Sequence, residues 1–178
     1  MEKNTLSRSD ALPITVEEFC KWSRIDDATL ERELIEGLIL AARDAAENFT
    51  GRTLANSEVE YIVPASAGLT SLPTLPVRSI VKVEAEKPNG DRTLLELVKD
   101  YRQRVTDYVA NIRLLSTHSD TALVITVEAG YETTAAIPQA IKQAISVHAA
   151  NAYMGREGQD EATKTFERLL RPYCVGLL

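Results

Sequence analysis

Residues 30–51 read LERELIEGLILAARDAAENFTG, and the period of this stretch decides what kind of fold the chain can have. Turned at about 100° per residue, Leu30, Leu34, Leu38, Ala41, Ala45 and Phe49 fall in one apolar stripe. Ile35, Ile39, Ala42 and Ala46 form a second stripe beside it. Together they cover roughly half the circumference, wider than the stripe of about 100° that packing on a single core requires. The spacing therefore predicts a long helix that touches two partners. Asp26 and Asp27 offer N-caps before it, and Gly51 ends it. Its opposite face carries Glu33, Glu36, Asp44 and Glu47, interrupted by Gly37 and Leu40. A glycine inside a helix costs about 1 kcal/mol relative to alanine. Close approach of another backbone would justify Gly37, and simple tolerance is the other explanation.

Upstream, Thr15 and Glu18 have the spacing of a capping box, with Ile14 and Phe19 at the staple positions. They predict a short helix ending near Trp22 or Ser23, with Trp22 in the core. Residues 1–12 read as a loose arm. Downstream the period changes from helical to twofold. Val59, Tyr61 and Val63 alternate with Glu58, Glu60 and Ile62, and Val81, Val83 and Ala85 with Lys82, Glu84 and Glu86. Pro88-Asn89-Gly90-Asp91 supplies turn chemistry before Thr93–Leu97, and further strands are expected at Tyr101–Val105, Asn111–Leu115 and Ala122–Ala129. Helical spacing returns at Pro138, where Ile141, Ile145, His148, Ala149 and Ala152 share a face. A last helix, from about Asp160 to Arg171, buries Ala162, Phe166, Leu169 and Leu170. The layout is α+β in three parts: helices over 1–57, a strand-rich segment over 58–131, and helices with an apolar tail over 132–178. No helical pattern of ten or more residues separates the strands, which argues against a Rossmann-type fold.

Composition narrows function by exclusion. The 178 residues are 44% hydrophobic and 26% charged with a net charge of −6, as in an ordinary globular protein. There is no block of basic residues, so binding of duplex or single-stranded nucleic acid through phosphate neutralisation has no electrostatic footprint in the sequence and is not expected. Cys20 and Cys174 stand at opposite ends with no zinc-type spacing, so two free thiols are expected. No run approaches the roughly 18 apolar residues of a membrane span. His148 lies on an apolar helix face without a nucleophile or second acid in fixed spacing, and His118 falls in a polar turn. No catalytic, cofactor or metal site is expected.

Several segments, in order, resemble the head–tail connector (adaptor, or head-completion) proteins of tailed phages and prophages. They are Ile14-Thr15-Val16-Glu17-Glu18-Phe19, Arg24-Ile25-Asp26-Asp27, and Phe49-Thr50-Gly51-Arg52. Leu75-Pro76-Val77-Arg78-Ser79-Ile80 and Val127-Glu128-Ala129-Gly130-Tyr131 continue the series. Ile137-Pro138-Gln139-Ala140-Ile141-Lys142-Gln143-Ala144 and Leu169-Leu170-Arg171-Pro172-Tyr173 complete it. The resemblance implies one helical bundle built from both chain ends, with a small antiparallel β-domain inserted between them. It implies a ring beneath the portal that extends the DNA channel and receives tail-side connector or stopper proteins, without enzymatic activity or cofactor. It places the protein in the virion neck after synthesis in the bacterial host cytoplasm, with DNA passing through without sequence-specific contact and with no membrane partner.

On that footing Glu33, Glu36, Asp44 and Glu47 are candidates to face the channel, and Gly37 and Leu40 to lie at a subunit interface. Arg171, Pro172, Tyr173, Leu177 and Leu178 are candidates to dock on the portal; folding back on the chain's own helices is the alternative for this tail. Two rival readings stay open. One is a small-molecule binding module or enzyme using the β-domain, with His148 or Tyr131 as a polar anchor. The other is a regulatory adaptor of a bacterial host.

Overall fold

The structure is a computed structural model that describes residues 2–26, 31–65, 68–73, 76–106, 109–115, 122–155 and 160–175. Asp27, Leu30, Leu75, His118, Leu177 and Leu178 lie outside the described residues. The chain divides into two compact units, one of Met1–Ser9 with Ala55–Tyr131, the other of Asp10–Leu54 with Glu132–Leu178.

The first unit is built of antiparallel strands. β1 (Glu2–Arg8), β2 (Ser57–Pro64), β4 (Val77–Glu86), β5 (Arg92–Leu94) and β8 (Ala122–Ala129) form a five-stranded sheet in the order β1-β2-β8-β4-β5. β3 (Leu69–Ser71), β6 (Tyr101–Thr106) and β7 (Val109–Leu114) form a second sheet in the order β3-β7-β6. β8 sits centrally, and five successive residues from Leu123 to Val127 are buried, all apolar except Thr126, as expected of a strand covered on both faces. Val59, Tyr61 and Val63 of β2 point inward as their alternation predicts. The Lys87–Asp91 turn closes the β4–β5 hairpin, with the Gly90 N–H donating to the Lys87 carbonyl at 2.9 Å.

Two expectations for these strands need correcting. Residues 1–12 are not a loose arm throughout: β1 pairs with β2 from Glu2 to Arg8, and the Ser9 N–H donates to the Asn56 carbonyl. All seven β1 residues are exposed, so the strand is placed by its backbone ladder with β2 rather than by a buried face, and no apolar alternation could announce it. Val81 is 52% exposed rather than inward with Val83 and Ala85. Register shifts between Val77 and Ser79 and between Ile80 and Lys82 break the twofold period, and a bulge residue leaves its face.

The second unit is helical: α1 (Val16–Ser23), α2 (Arg32–Thr50), α3 (Gln139–Tyr153) and α4 (Asp160–Leu170). α3 packs on α1, α2 and α4, and α2 also meets α1 and α4. The capping box forms as the sequence predicts: the Glu18 N–H donates to Thr15 Oγ1 at 3.1 Å and the Thr15 N–H to Glu18 Oε2 at 2.9 Å. Ile14 and Phe19 at the staple positions are both buried. α2 starts later than its Asp26 signal, with Glu31 as N-cap and no side-chain cap bond, and it ends at Gly51 in the left-handed region. Pro138 is the N-cap of α3 in extended conformation, one residue before the helix. Trp22 is not core but 47% exposed. On an eight-residue helix Val16 and Phe19 set the buried face, and Trp22 lies about 60° past Phe19 around the helix.

Candidate interaction surface

α2 buries only one of its two apolar stripes. Ile35, Ile39, Ala42 and Ala46 are fully enclosed, whereas Leu34 is 56% exposed, Ala41 is exposed, and Leu38 and Ala45 are half-buried. Phe49, at the far end of this stripe, touches Phe166 of α4 edge-on at 5.9 Å and remains partly open. Apart from its own helix, no atom of the described residues lies within 4 Å of where a Cβ on Gly37 would stand, so no other described backbone approaches it.

The carboxylates share a row with Leu40. At about 100° per residue, Glu33, Glu36, Leu40, Asp44 and Glu47 fall along one line, on the far side of α2 from Phe49. Three of the four acids are engaged inside the unit. Glu36 lies 3.3 Å from Arg32, Asp44 lies 3.3 Å from the buried Arg43, and Glu47 accepts from the Leu54 N–H at 2.6 Å. The expected channel-facing acids and the expected interface pair Gly37 and Leu40 therefore occupy neighbouring positions on one face.

The described part of the tail folds back on the end of α2. The Val175 N–H donates to the Thr50 carbonyl at 2.7 Å, the Arg52 guanidinium donates to the Tyr173 carbonyl, and Cys174 Sγ lies 3.6 Å from the Phe49 carbonyl. Tyr173 is half-buried, while Arg171 and Pro172 stay exposed. With Lys164, Glu167 and Arg168 they line an open groove of about 460 Å³. A second groove of about 250 Å³ lies between α1 and α3, lined by Trp22, Glu18, Lys142 and Gln143 among others.

The described residues do not assemble into a reaction centre. His148 packs against Phe166 with ring centroids 4.9 Å apart, while the residue as a whole stays exposed. This partial loss of water pushes its pKa below the ordinary value. Tyr131 belongs to the other unit. Burial, reinforced by Glu17, raises the Cys20 pKa, the opposite of an activated thiol. Among the described residues no three His, Cys, Asp or Glu side chains group closely enough to hold a metal ion. No helix there is long and apolar enough to cross a membrane.

The sign of the His148 shift carries a prediction. A depressed pKa means that the fold favours the neutral ring, so the stabilisation is complete above the unfolded pKa of about 6.5 and is lost as pH falls through the folded value. Melting temperature should fall more steeply between pH 7.5 and 5 in the wild type than in His148→Phe. Equal slopes would remove His148 from the acid response.

Sequence reasoning missed one feature altogether. The β3-β7-β6 register brings Arg102, Arg104 and Arg113 onto a common outer face, although they are scattered along the chain. Their only signal was strand alternation, with an arginine at alternate positions of β6.

A family model described as head completion protein matches residues 13–166. No curated protein matches the chain. Among solved structures, the chain is similar to one in the virion of a native gene transfer agent (GTA) particle. That match is 19% identical with a TM-score of 0.82 and covers 100% of this chain and 97% of the other. A chain in the neck of a native GTA particle computed with C12 symmetry is 20% identical, with a TM-score of 0.78 over 100% and 97%. A third, in the neck of an empty GTA particle computed with C6 symmetry, is 20% identical, with a TM-score of 0.76 over 95% of each chain. At such identities these likenesses establish a shared fold across both units. With the family model spanning most of its length, the chain belongs to the head completion protein family, the kind of phage head–tail connector that its sequence resembles.

Proposed function

We propose that this protein is a structural head–tail connector that joins a ring in the virion neck beneath the portal, extends the DNA channel and receives a tail-side component. In this reading the helical unit, Asp10–Leu54 with Glu132–Leu178, is one bundle, and Ala55–Tyr131 is a strand-rich insertion into it that the N-terminal strand β1 joins. The role is assembly, not catalysis. The observation that carries the proposal is the uncovered apolar stripe of α2, with Leu34 56% exposed and Ala41 and Gly37 open beside it. Full burial of one leucine contributes about 1.5–3 kcal/mol, so a neighbouring subunit covering this stripe gains appreciable free energy. The C12 and C6 symmetries belong to the similar GTA necks, and they favour a ring for this chain as well.

One face cannot serve as both channel wall and subunit seam, and Leu40 lies within the carboxylate row. We take Glu33, Glu36, Asp44 and Glu47 to flank the seam together with Gly37 and Leu40. Arg171 and Pro172 are left exposed by the folded-back tail and are the described positions through which it would meet the portal.

The test is a double substitution, Leu34→Glu with Ala41→Glu. Both positions are exposed, so the melting temperature should move by no more than about 2 °C, as for surface changes of about 0.5 kcal/mol. Incorporation into portal-bound rings, read by native mass measurement or by imaging of particle necks, should fall at least about tenfold, since each 1.4 kcal/mol of lost contact is one decade. Undiminished incorporation would exclude α2 as the seam.

A further inference from the structure

We propose that the outer face of the β3-β7-β6 sheet binds the phosphate backbone of duplex DNA. Arg102 on β6 stands directly opposite Arg113 on β7, and Arg104 opposite Asn111; on the other side Leu69 and Ser71 of β3 pair with Arg113 and Asn111. Tyr101, Ala110, Ile112 and Leu114 occupy the reverse face and are buried. All three arginines are exposed, and among the described residues none has an ion-pair or hydrogen-bond partner. No described strand position on this outer face is acidic. Like charges directly opposite one another on antiparallel strands are destabilising, so an isolated sheet gains nothing from this arrangement. An anion with closely spaced charges turns the repulsion into attraction.

The spacing suits a phosphate strand. Opposite residues stand about 5 Å apart and alternate residues of a strand about 7 Å apart. DNA presents one phosphate per about 3.4 Å of axis on each strand, so the patch spans two or three of them. Guanidinium forks match phosphate oxygens bidentately, and Ser71 and Asn111 add the neutral donors common at such contacts. A chain of net charge −6 keeps the attraction local and weak, which leaves DNA free to move over the face. Leu69 and Leu115, 64% and 49% exposed at the rim, are what an acidic protein partner would use instead.

The connector reading accounts only for the presence of DNA; the face is tested apart from any ring. Full-length protein is titrated with a 20-base-pair duplex between 50 and 200 mM salt. Three phosphate contacts predict weak binding, with a dissociation constant on the order of 10⁻⁴ M at the low end, that loosens about 40-fold across that range. The variant R102Q/R104Q/R113Q should lose both the binding and its salt dependence, and its melting temperature should hold or rise because the repulsion is removed. K21Q/K164Q/R168Q, which alters exposed cations of the helical unit, should leave binding unchanged. Absence of wild-type binding at 50 mM salt, or an arginine variant with the wild-type salt slope, overturns the proposal. So does poly-glutamate of matched charge captured through the same arginines when duplex is not, which would identify an acidic protein as the occupant. Loss of DNA binding in R102Q/R104Q/R113Q with intact neck assembly separates this face from the seam on α2.

Discussion

Gly130→Ala should cost about 4 kcal/mol or more and leave the strand unit unfolded or insoluble at physiological temperature. Gly130 follows β8 with φ +85°, a region that carries a penalty of roughly 1–2 kcal/mol for a residue with a side chain. A Cβ there would stand 1.9 Å from the Ala55 carbonyl oxygen and 2.6 Å from its carbon. Those atoms are backbone leading into β2, so no rotamer change relieves the overlap. The Gly130 N–H also donates to the Pro76 carbonyl at 2.9 Å, just before β4, and any shift of the turn breaks that bond too. Gly90→Ala is the control: Gly90 has φ +88° but no atom within 4 Å of where a methyl would stand, so it should show the backbone cost alone. Denaturant midpoints of the two variants settle the matter: similar small shifts would mean that the Ala55–Asn56 segment yields easily.

Phe166→Ala should destabilise the helical unit by about 3–5 kcal/mol, as large-to-small core changes of this type do. Phe166 is 6% exposed and holds α4 to two neighbours, lying 5.9 Å from Phe49 on α2 and 4.9 Å from His148 on α3. Removing its ring opens a cavity where three helices meet. The same substitution readmits water to His148, so its pKa should climb back toward the ordinary value, readable by NMR titration of the imidazole. A variant that loses less than about 1 kcal/mol, with the histidine unmoved, would show that α4 is held chiefly by Leu170.

The elements most legible in the sequence are those whose signal is local. Thr15 and Glu18 announce a helix start because their side chains bond backbone three residues away. The Asn89-Gly90 turn and the alternation of Val59, Tyr61 and Val63 are likewise complete within a few residues. The two apolar stripes of α2 were also legible, but not which of them the chain itself covers. That depends on where α3 lies, and α3 begins more than eighty residues later. Trp22 failed for a similar reason, because apolar character states a preference and neighbouring elements decide whether it is met. The family resemblance lay in the order of short segments, each weak alone.

From its own order of residues this chain determined its helices, most of its strands and its kinship with connector proteins. All of these follow from periodicities and caps that act over a turn or two of chain. Only the tertiary structure decided that β1 joins a sheet, that Leu34 stays in water, that Gly130 abuts Ala55 and that three scattered arginines share one face. Those are outcomes of register and packing, where backbone hydrogen bonds and long-range contacts carry no residue-specific mark.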